Sequence, residues 1–458
     1  MNFAQRRAGD GDQNLALTSD LAKWVANFKT KDVSANALTW AKHAMLDVIG
    51  VTVAGAREPL SEMLLEECAG GGDAPCSIIG HPRRANLLDA VLINGATAHA
   101  LDYDDVNRRM HGHPSVPTAP VALALGEVLG LGGREVLAAF IAGTEVECLL
   151  GEMAGDGHYD HGYHATGTMG TFGAAATAAQ LMGLDVGRTT HALGIAASQA
   201  SGLKINFGTM TKPLHAGKAA MNGLLAARIA ARGFTARETA IEGAQGFIST
   251  QAPGFKPAVV RPDPTRLLGI EETLFKYHAA CYLTHSTIEA IKELRQKHKI
   301  GLADMDAITL LVADGHRKVC DIPEPVSGLE IKFSIRHLAC MALDGVNTAS
   351  LDIYSDANAH EARYVAGRKR VTLESKPAEQ DRMAARVKIR LKDGRTLEAE
   401  ANVGIPAKDL GRQWEALTSK FNAIAAPILG AAKSAALVEA IAGLDTAPDL
   451  KGLTRHLA

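Results

Sequence analysis

Acidic and imidazole side chains are densest in the segment AHALDYDDVNRRMHGHPS (98–115). Asp102, Asp104, Asp105, His111 and His113 fall within a dozen residues there. Apolar residues at helical spacing precede Asp102, so this carboxylate is expected near the carboxyl end of a helix, where the helix dipole disfavours an anion. Such a placement indicates either a solvated helix end or a carboxylate held in place for chemistry.

A second segment, HYDHGYHATGT (158–168), repeats histidine every third residue, at His158, His161 and His164. Imidazole titrates near neutral pH and therefore suits proton donation and acceptance. His164 lies nearest to the predicted start of the next helix, where free N–H groups would bind a substrate carboxylate. Solvated loop histidines and a zinc-binding triplet are the alternative interpretations.

Two further segments add lysines. NFGTMTKPLHAGKAAMN (206–222) contains Lys212 in a predicted loop stiffened by Pro213, and FKYHAACYLTHS (275–286) contains Lys276, His278 and Cys281. A lysine in a water-poor pocket can hold a carboxylate and stabilise the charge that develops when an adjacent carbon loses a proton. Surface solvation is the alternative for Lys212, and a buried structural thiol is the favoured interpretation of Cys281.

Composition limits the classes of function. The chain of 458 residues has 48 basic and 50 acidic residues, so no global positive field favours nucleic acid. Six scattered cysteines without a CxxC pair indicate reduced thiols and predict no metal site. The sequence shows neither a secretory signal nor an apolar run of about 18 residues. We therefore expect a soluble cytoplasmic protein that binds neither nucleic acid nor membrane.

The elements that must position these residues divide into two kinds. Residues 15–232 show helical spacing, and the small-residue run 167–179 predicts a buried central helix. Prolines at 257, 262 and 264 suit a domain crossing, so a boundary is predicted near residue 265. Beyond it, strands are predicted at 308–312, 385–391 and 396–402, the last two joined by a DG turn. Helices are predicted at 284–298, 333–343 and 407–442.

This organisation predicts a mainly α protein with an α+β part. The large all-helical domain is expected to form from both chain ends, residues 15–265 and 405–458, after a flexible tail at 1–14. The smaller α+β lid domain, residues 266–404, is expected as an insertion. Because 458 residues exceed the usual size of one hydrophobic core, two domains are the better expectation.

Five ordered motifs resemble the MmgE/PrpD family over nearly the whole chain. They are ALDYDDV with GHPS, GYHATGTMGTFGAAA, TKPLHAGKAA, FKYHAACYLTHS and KFSIRHLACMALDG. The resemblance implies a helical main domain formed from both chain ends, an inserted α+β lid and commonly a homodimer. It also implies proton chemistry beside a carboxylate without a cofactor, as in 2-methylcitrate dehydration, cis-aconitate decarboxylation or iminodisuccinate epimerisation.

The expected function is a cofactor-independent lyase that acts on a small di- or tricarboxylate, with a hydro-lyase favoured and a decarboxylase also considered. An epimerase is the nearest alternative, and a non-catalytic carboxylate-binding homologue is the alternative of another class. By the resemblance, Asp102, His113, His164 and Lys212 are the catalytic residues. Substrate-binding roles are expected for Lys276, His111, His278, Cys281 and His337.

The sequence also departs from the decarboxylase branch of the family. Val106, Cys281 and His337 stand where that branch has Thr, His and Tyr. A short insertion before GHPS makes His111 a rival to His113. These differences place cis-aconitate decarboxylation, rather than the general proton chemistry, in question.

Overall fold

The computed structural model describes residues 16–68, 74–254, 266–376 and 381–458. Helices dominate both ends of the chain and also occur in its middle part. They are α1 (Leu17–Asn27), α2 (Ala35–Gly55), α3 (Pro59–Cys68), α4 (Leu87–Ala98), α5 (Ser115–Leu129), α6 (Gly133–Asp160), α7 (Ala165–Leu181), α8 (Val186–Gln199), α9 (Thr211–Ala231), α10 (Phe247–Gln251), α11 (His285–His298), α12 (Asp314–Cys320), α13 (Gly328–Ile331), α14 (Ile335–Asp344), α15 (Asp356–Ala359), α16 (Ala362–Arg368), α17 (Leu410–Leu429), α18 (Ala431–Ala442) and α19 (Lys451–Thr454).

The predicted central helix is confirmed as α7, whose residues from Ala165 to Ala179 are all buried. It packs against α5, α6, α8 and α9. Glycines let the neighbouring helices approach closely. A Cβ on Gly217 of α9 would lie 2.2 Å from the carbonyl oxygen of Leu92 in α4, so only glycine fits at this crossing. The crossing brings the end of α4 next to the beginning of α9.

The second half contains a four-stranded sheet. Its strands are β3 (Met305–Val312), β4 (Val371–Ser375), β5 (Ala384–Leu391) and β6 (Thr396–Asn402), in the order β4-β3-β5-β6. β3 pairs with β4 in parallel and with β5 antiparallel, and Gly394 turns the chain between β5 and β6 with φ 88°. Helix α11 packs against β5 and β6, and α14 packs against α11 and α16, which together enclose a separate buried core. The fold is therefore mainly helical with an α+β part.

Three features differ from the expectation. A small antiparallel hairpin, β1 (Cys76–Ile78) and β2 (His81–Ala85), interrupts the first half, which was predicted as wholly helical. Strand β4 was not predicted. The carboxyl-terminal helical run breaks into α17 and α18 at Gly430, where φ is 84°. The boundary predicted near residue 265 lies outside the described residues.

Helices α17 and α18 return to the amino-terminal half and pack against α2. This contact contains an ion pair between Lys420 Nζ and Asp47 Oδ1 at 2.7 Å, with both side chains buried. Among the described residues, none of the helices combines the length and apolar character needed to cross a membrane.

Candidate active site

Asp102 lies just after α4, as predicted, in a left-handed backbone conformation with φ 52°. Its side chain is buried, at 5% exposure. Aspartate tolerates this conformation better than most residues with a Cβ, because its short polar side chain bonds locally. A buried anion beside a helix carboxyl terminus nevertheless needs compensation by positive charge.

Four buried lysines supply positive charge around the loop 101–103. Lys212 Nζ donates to Asp102 Oδ1 at 2.7 Å, and Lys276 Nζ donates to Asp102 Oδ1 at 3.0 Å and to its backbone carbonyl at 2.6 Å. Lys332 Nζ donates to the carbonyl of Leu101 at 2.7 Å, and Lys420 Nζ donates to the carbonyl of Tyr103 at 2.7 Å. We call these four residues the lysine cage.

The cage sets the charge of Asp102. Burial alone would raise the pKa of its carboxyl group, but the ammonium groups of Lys212 and Lys276 hold that pKa well below its usual range. Burial likewise acts to lower the pKa of Lys276, yet the Asp102 carboxylate leaves that pKa raised. Asp102 and Lys276 are therefore both charged at neutral pH.

Lys212 lies in the first turn of α9, with Pro213 beside it, and not in the loop that the sequence predicted. Proline fits the first turn of a helix because the N–H groups there have no intrahelical partner. A cation at a helix amino terminus is disfavoured by the dipole. Asp102 and Lys212 thus stand at unfavourable ends of α4 and α9, and their ion pair compensates both.

Asp104 holds two histidines. Its carboxylate accepts from His99 Nδ1 at 2.9 Å and lies 2.9 Å from His113 Nδ1, which is also 2.8 Å from the Asp105 carbonyl. Because all these partners are acceptors, both rings carry a hydrogen on Nδ1, and the neutral form of each ring has its lone pair on Nε2. His113 Nε2 lies 3.8 Å from Asp102 Oδ1. Burial lowers the pKa of His99 to about 4 despite the Asp104 carboxylate.

His164 precedes the first residue of α7, as predicted, and its ring is buried. Its Nδ1 lies 3.0 Å from His215 Nδ1, so one of these rings donates and the other accepts. Burial, followed by the charges of His99 and Lys212, holds the pKa of His164 well below its usual value. Both His164 and His215 are therefore neutral, since burial also lowers the pKa of His215 to about 4.

These groups line a cavity of about 340 Å³ between the helical and α+β parts, which we call the active-site cavity. Asp102, His113, His164, Lys212, Lys276 and Cys281 all line it. Six cations line it against three carboxylates, which favours an anionic ligand. The cations are Arg108, Lys204, Lys212, Lys276, Lys318 and Arg382, and the carboxylates are Asp102, Asp156 and Asp160.

Comparison with known protein families assigns the chain to a family. The MmgE/PrpD N-terminal domain matches residues 19–259, and the MmgE/PrpD C-terminal domain matches residues 278–446. The chain belongs to the MmgE/PrpD family. It is 26% identical to a cis-aconitate decarboxylase of Aspergillus terreus over 99% of this chain and 98% of that protein. It is 27% identical to the cis-aconitate decarboxylases of Mus musculus and Homo sapiens, over 96% of this chain and 93% or 94% of theirs.

The remaining predicted residues of this MmgE/PrpD protein fall into two groups. His111 lines the active-site cavity, and its Nδ1 lies 3.5 Å from Asp156 Oδ1. His278 instead bonds to Glu289 and Thr348, and His337 lies buried beside Arg368. Neither His278 nor His337 lines the cavity, so the structure separates these two from the other predicted site residues.

One set of residues resembles a metal site. Ligand atoms of His99, Asp102, Asp104 and His113 lie within 4.8 Å of one another. However, Asp102 Oδ1 already accepts from two ammonium groups, and a divalent cation would lie against both of them. The charges on this MmgE/PrpD site therefore favour an anion over a metal ion.

Several site residues had no role in the sequence-based prediction. His99 immediately precedes the ALDYDDV motif, and Lys332 is the first residue of the KFSIRHLACMALDG motif, so a sequence signal existed for both. His215 was visible downstream of Lys212. Lys420 had no signal, because only the return of α17 to the amino-terminal half brings it to Tyr103.

Proposed function

We propose that this protein is a lyase that transfers a proton at a carbon next to a carboxylate of a small di- or tricarboxylate. The observation that carries the proposal is the buried Asp102 carboxylate held by Lys212 and Lys276 inside a cavity with excess positive charge. Ammonium groups that already hold one carboxylate are placed to hold the carboxylates of a substrate and to stabilise charge that develops on them.

The two cavity histidines suit the proton transfer. The Nδ1–H of His113 is held by acceptors, so the neutral ring has its lone pair on Nε2 and in that form can act as the base. His164 is neutral and paired with His215, which lets it accept or donate according to the tautomer of the pair. In this scheme the electron pair released at the carbon passes into the carboxylate beside Lys212. No cofactor is required.

We favour loss of water over loss of carbon dioxide. The relatives compared above are named cis-aconitate decarboxylases, yet Val106 and Cys281 replace the Thr and His of that branch and both line the active-site cavity. Changes in the cavity wall support a different substrate or a different leaving group. In the favoured reaction, the base removes the proton, the β-hydroxyl leaves, and the acid protonates it to water. Decarboxylation and epimerisation are the alternatives.

The test is incubation of the purified protein in D₂O with 2-methylcitrate, citrate, cis-aconitate or fresh iminodisuccinate, followed by proton NMR. A new vinyl signal from a citrate supports the hydro-lyase, whereas itaconate from cis-aconitate identifies a decarboxylase. Deuterium uptake with retention of iminodisuccinate identifies an epimerase. Absence of reaction with all four contradicts the proposal.

The variant Lys212→Met distinguishes an enzyme from a binding homologue. If the protein is an enzyme, this variant loses turnover, because the developing negative charge loses its stabilising ammonium group. A binding homologue would show no turnover to lose and only a weaker affinity for the carboxylate. Unchanged activity after treatment with a chelator would separate this chemistry from a metal-dependent reaction.

A further inference from the structure

Two cysteines, Cys281 and Cys320, lie next to each other at the wall of the active-site cavity. Cys281 lines the cavity and is 8% exposed, whereas Cys320 is fully buried at the end of α12. Among the described residues that line the cavity, Cys281 is the one cysteine. The proton transfer proposed above uses neither thiol.

Backbone contacts hold both cysteines against the short segment between α13 and α14. The N–H of Cys281 donates to the carbonyl of Lys332 at 2.9 Å. Asp321, directly after Cys320, forms a β-bridge with Ser334, two residues after Lys332. Helix α12 also packs against the short helical turn that follows Cys281. The two cysteines therefore belong to the same buried core.

The two thiols also interact directly. A side-chain hydrogen bond joins Cys281 and Cys320, and this bond lowers the pKa of Cys281 against the effect of burial, with help from the Lys276 ammonium group. Burial raises the pKa of Cys320, whose thiol has the His316 carbonyl as a second acceptor at 3.2 Å. Cys281 is therefore the thiol of the pair that more readily becomes a thiolate.

This pair has the properties of an oxidisable dithiol. A thiolate is the nucleophile in thiol oxidation, and a susceptible cysteine has a lowered pKa, access for the oxidant and a second cysteine beside it. The cavity gives a small oxidant access to Cys281, and Cys320 is the adjacent thiol. By contrast, burial raises the pKa values of Cys76, Cys148 and Cys340.

We infer that Cys281 and Cys320 react with hydrogen peroxide to form an intramolecular disulfide at the wall of the active-site cavity. The sulfur of Cys281 attacks a peroxide oxygen and the O–O bond breaks. The departing hydroxide takes up the proton of the Cys281 thiol, which leaves a sulfenic acid and one water. The Cys320 sulfur then attacks the Cys281 sulfur, the S–O bond breaks, and the hydroxyl group leaves with the Cys320 proton as a second water.

The disulfide would join two parts of the cavity wall. Helix α12 supplies His316 and Val319 to the cavity as well as carrying Cys320, so the new bond would fix this helix against Cys281. The inference does not depend on the proposed reaction, because thiols are counted without a substrate.

The test is treatment of the reduced full chain with hydrogen peroxide, followed by alkylation in denaturant and peptide mass spectrometry. We expect loss of two of the six thiols and a peptide pair linked through Cys281 and Cys320. Dithiothreitol should restore all six thiols. Cys320→Ser should form no disulfide, and its Cys281 sulfenic acid should be trapped by dimedone.

Two further variants separate reactivity from exposure. Cys281→Ser should lose the disulfide and keep Cys320 reduced, because Cys320 is fully buried. Cys68→Ser is the matched control, since Cys68 is partly exposed whereas the other five cysteines are buried. This variant should form the disulfide as the wild type does. Thermal unfolding of each reduced variant checks that it is folded.

Three results would overturn the inference. In the first, all six thiols of the wild-type protein remain free in excess peroxide. In the second, the disulfide links other cysteines. In the third, Cys281 accumulates as a sulfinic acid without a disulfide, which would mean that Cys320 does not reach it. Each result can be distinguished from failure of the lyase assay, which measures turnover and not thiols.

Discussion

At the scale of single residues, Asp104 determines which nitrogen of two imidazoles is free for chemistry. In Asp104→Asn the amide oxygen can accept from one Nδ1–H, while the amide NH₂ group opposes the other, so one ring changes tautomer. We expect kcat to fall about 100-fold or more, because acid–base catalysis contributes that much, and KM to change little. Steady-state kinetics on the substrate identified by NMR would measure both.

Asp449→Asn changes a partly exposed aspartate two residues before α19; this variant is the control and should keep wild-type kinetics. A normal kcat in Asp104→Asn would mean that His99 and His113 do not depend on this carboxylate for their tautomers. Loss of folding is excluded by comparison of the thermal unfolding of the two variants.

At this scale, the structure brings residues from four predicted segments to one cavity. Asp102, His113, His164, Lys212 and Lys276, which the family resemblance singled out, all line it. His278 lies two residues after Lys276, but this proximity in sequence does not place it at the cavity. Its side chain bonds to Glu289 instead. In an irregular segment, the spacing of residues does not determine which side chains face a cavity. Tertiary packing determines it.

At the scale of elements, the α4–α9 crossing positions Asp102 against Lys212. Gly217→Ala would place a Cβ 2.2 Å from the Leu92 carbonyl oxygen, so the two helices must separate. We expect a loss of about 2 kcal/mol of stability, as overpacking commonly causes, together with reduced kcat because the ion pair at the helix ends is stretched. Urea denaturation and kinetics would measure these effects.

Gly187→Ala in α8 is the matched control. Its added Cβ would meet only an Asp185 oxygen at 3.5 Å, which is an ordinary contact. Gly187 is the second residue of α8, and alanine favours helix relative to glycine, so this variant should be as stable as the wild type or more stable. A Gly217→Ala variant with the stability and activity of Gly187→Ala would show that the crossing tolerates a methyl group.

Element prediction succeeded where the pattern was long. The alternation of β5 and the DG turn predicted the β5–β6 hairpin, and β6 has the predicted bounds at Thr396–Asn402. Strand β4 is five residues long and lies at the edge of the sheet. It pairs in parallel with β3, which is distant in sequence, so no hairpin turn in the sequence indicates the pairing. The β1–β2 hairpin contains His, Pro and two Arg, a composition with low strand propensity, and tertiary contacts with α4 stabilise it.

At the scale of the whole molecule, α17 connects the chain's carboxyl-terminal part through Lys420 to the loop 101–103, the active-site loop. Lys420→Met removes the partner of the buried Asp47 and the donor to the Tyr103 carbonyl. We expect a loss of about 3 kcal/mol of stability, as for other broken buried ion pairs, and a lower kcat. Urea denaturation and steady-state assays would measure both.

The double variant Asp47→Asn with Lys420→Met separates the two effects. Stability should recover in part, because no buried carboxylate is left unpaired, whereas kcat should stay low because the Tyr103 carbonyl still lacks its donor. Full recovery of kcat in the double variant would mean that Lys420 affects the site only through stability.

Buried histidines predict the response of the whole fold to acid. Burial lowers the pKa values of His43, His99, His158, His215 and His316 to about 4, from the ordinary histidine value of 6.5. Between pH 6.5 and about 4 the unfolded chain therefore binds protons that the folded protein does not, and stability falls as pH falls. Four buried acids with raised pKa values, Asp47, Asp105, Glu145 and Glu147, oppose this trend but are fewer.

We expect the urea midpoint to change little near pH 7.5 and to decrease from about pH 6.5 to pH 4.5. Well above pH 6.5 these histidines are neutral in both the folded and the unfolded state, so their contribution to the slope fades towards pH 7.5. A midpoint that stays constant or rises on acidification to pH 4.5 would contradict the prediction.

The lysine cage also has a consequence for biosynthesis. Its members occur at positions 212, 276, 332 and 420, and the last of them reaches Tyr103 only after α17 has packed against α2. A chain still attached to the ribosome therefore exposes the face of α2 that α17 covers in the finished protein. During translation the amino-terminal helices can form, but the nascent chain acquires a complete active-site loop only when α17 has left the exit tunnel.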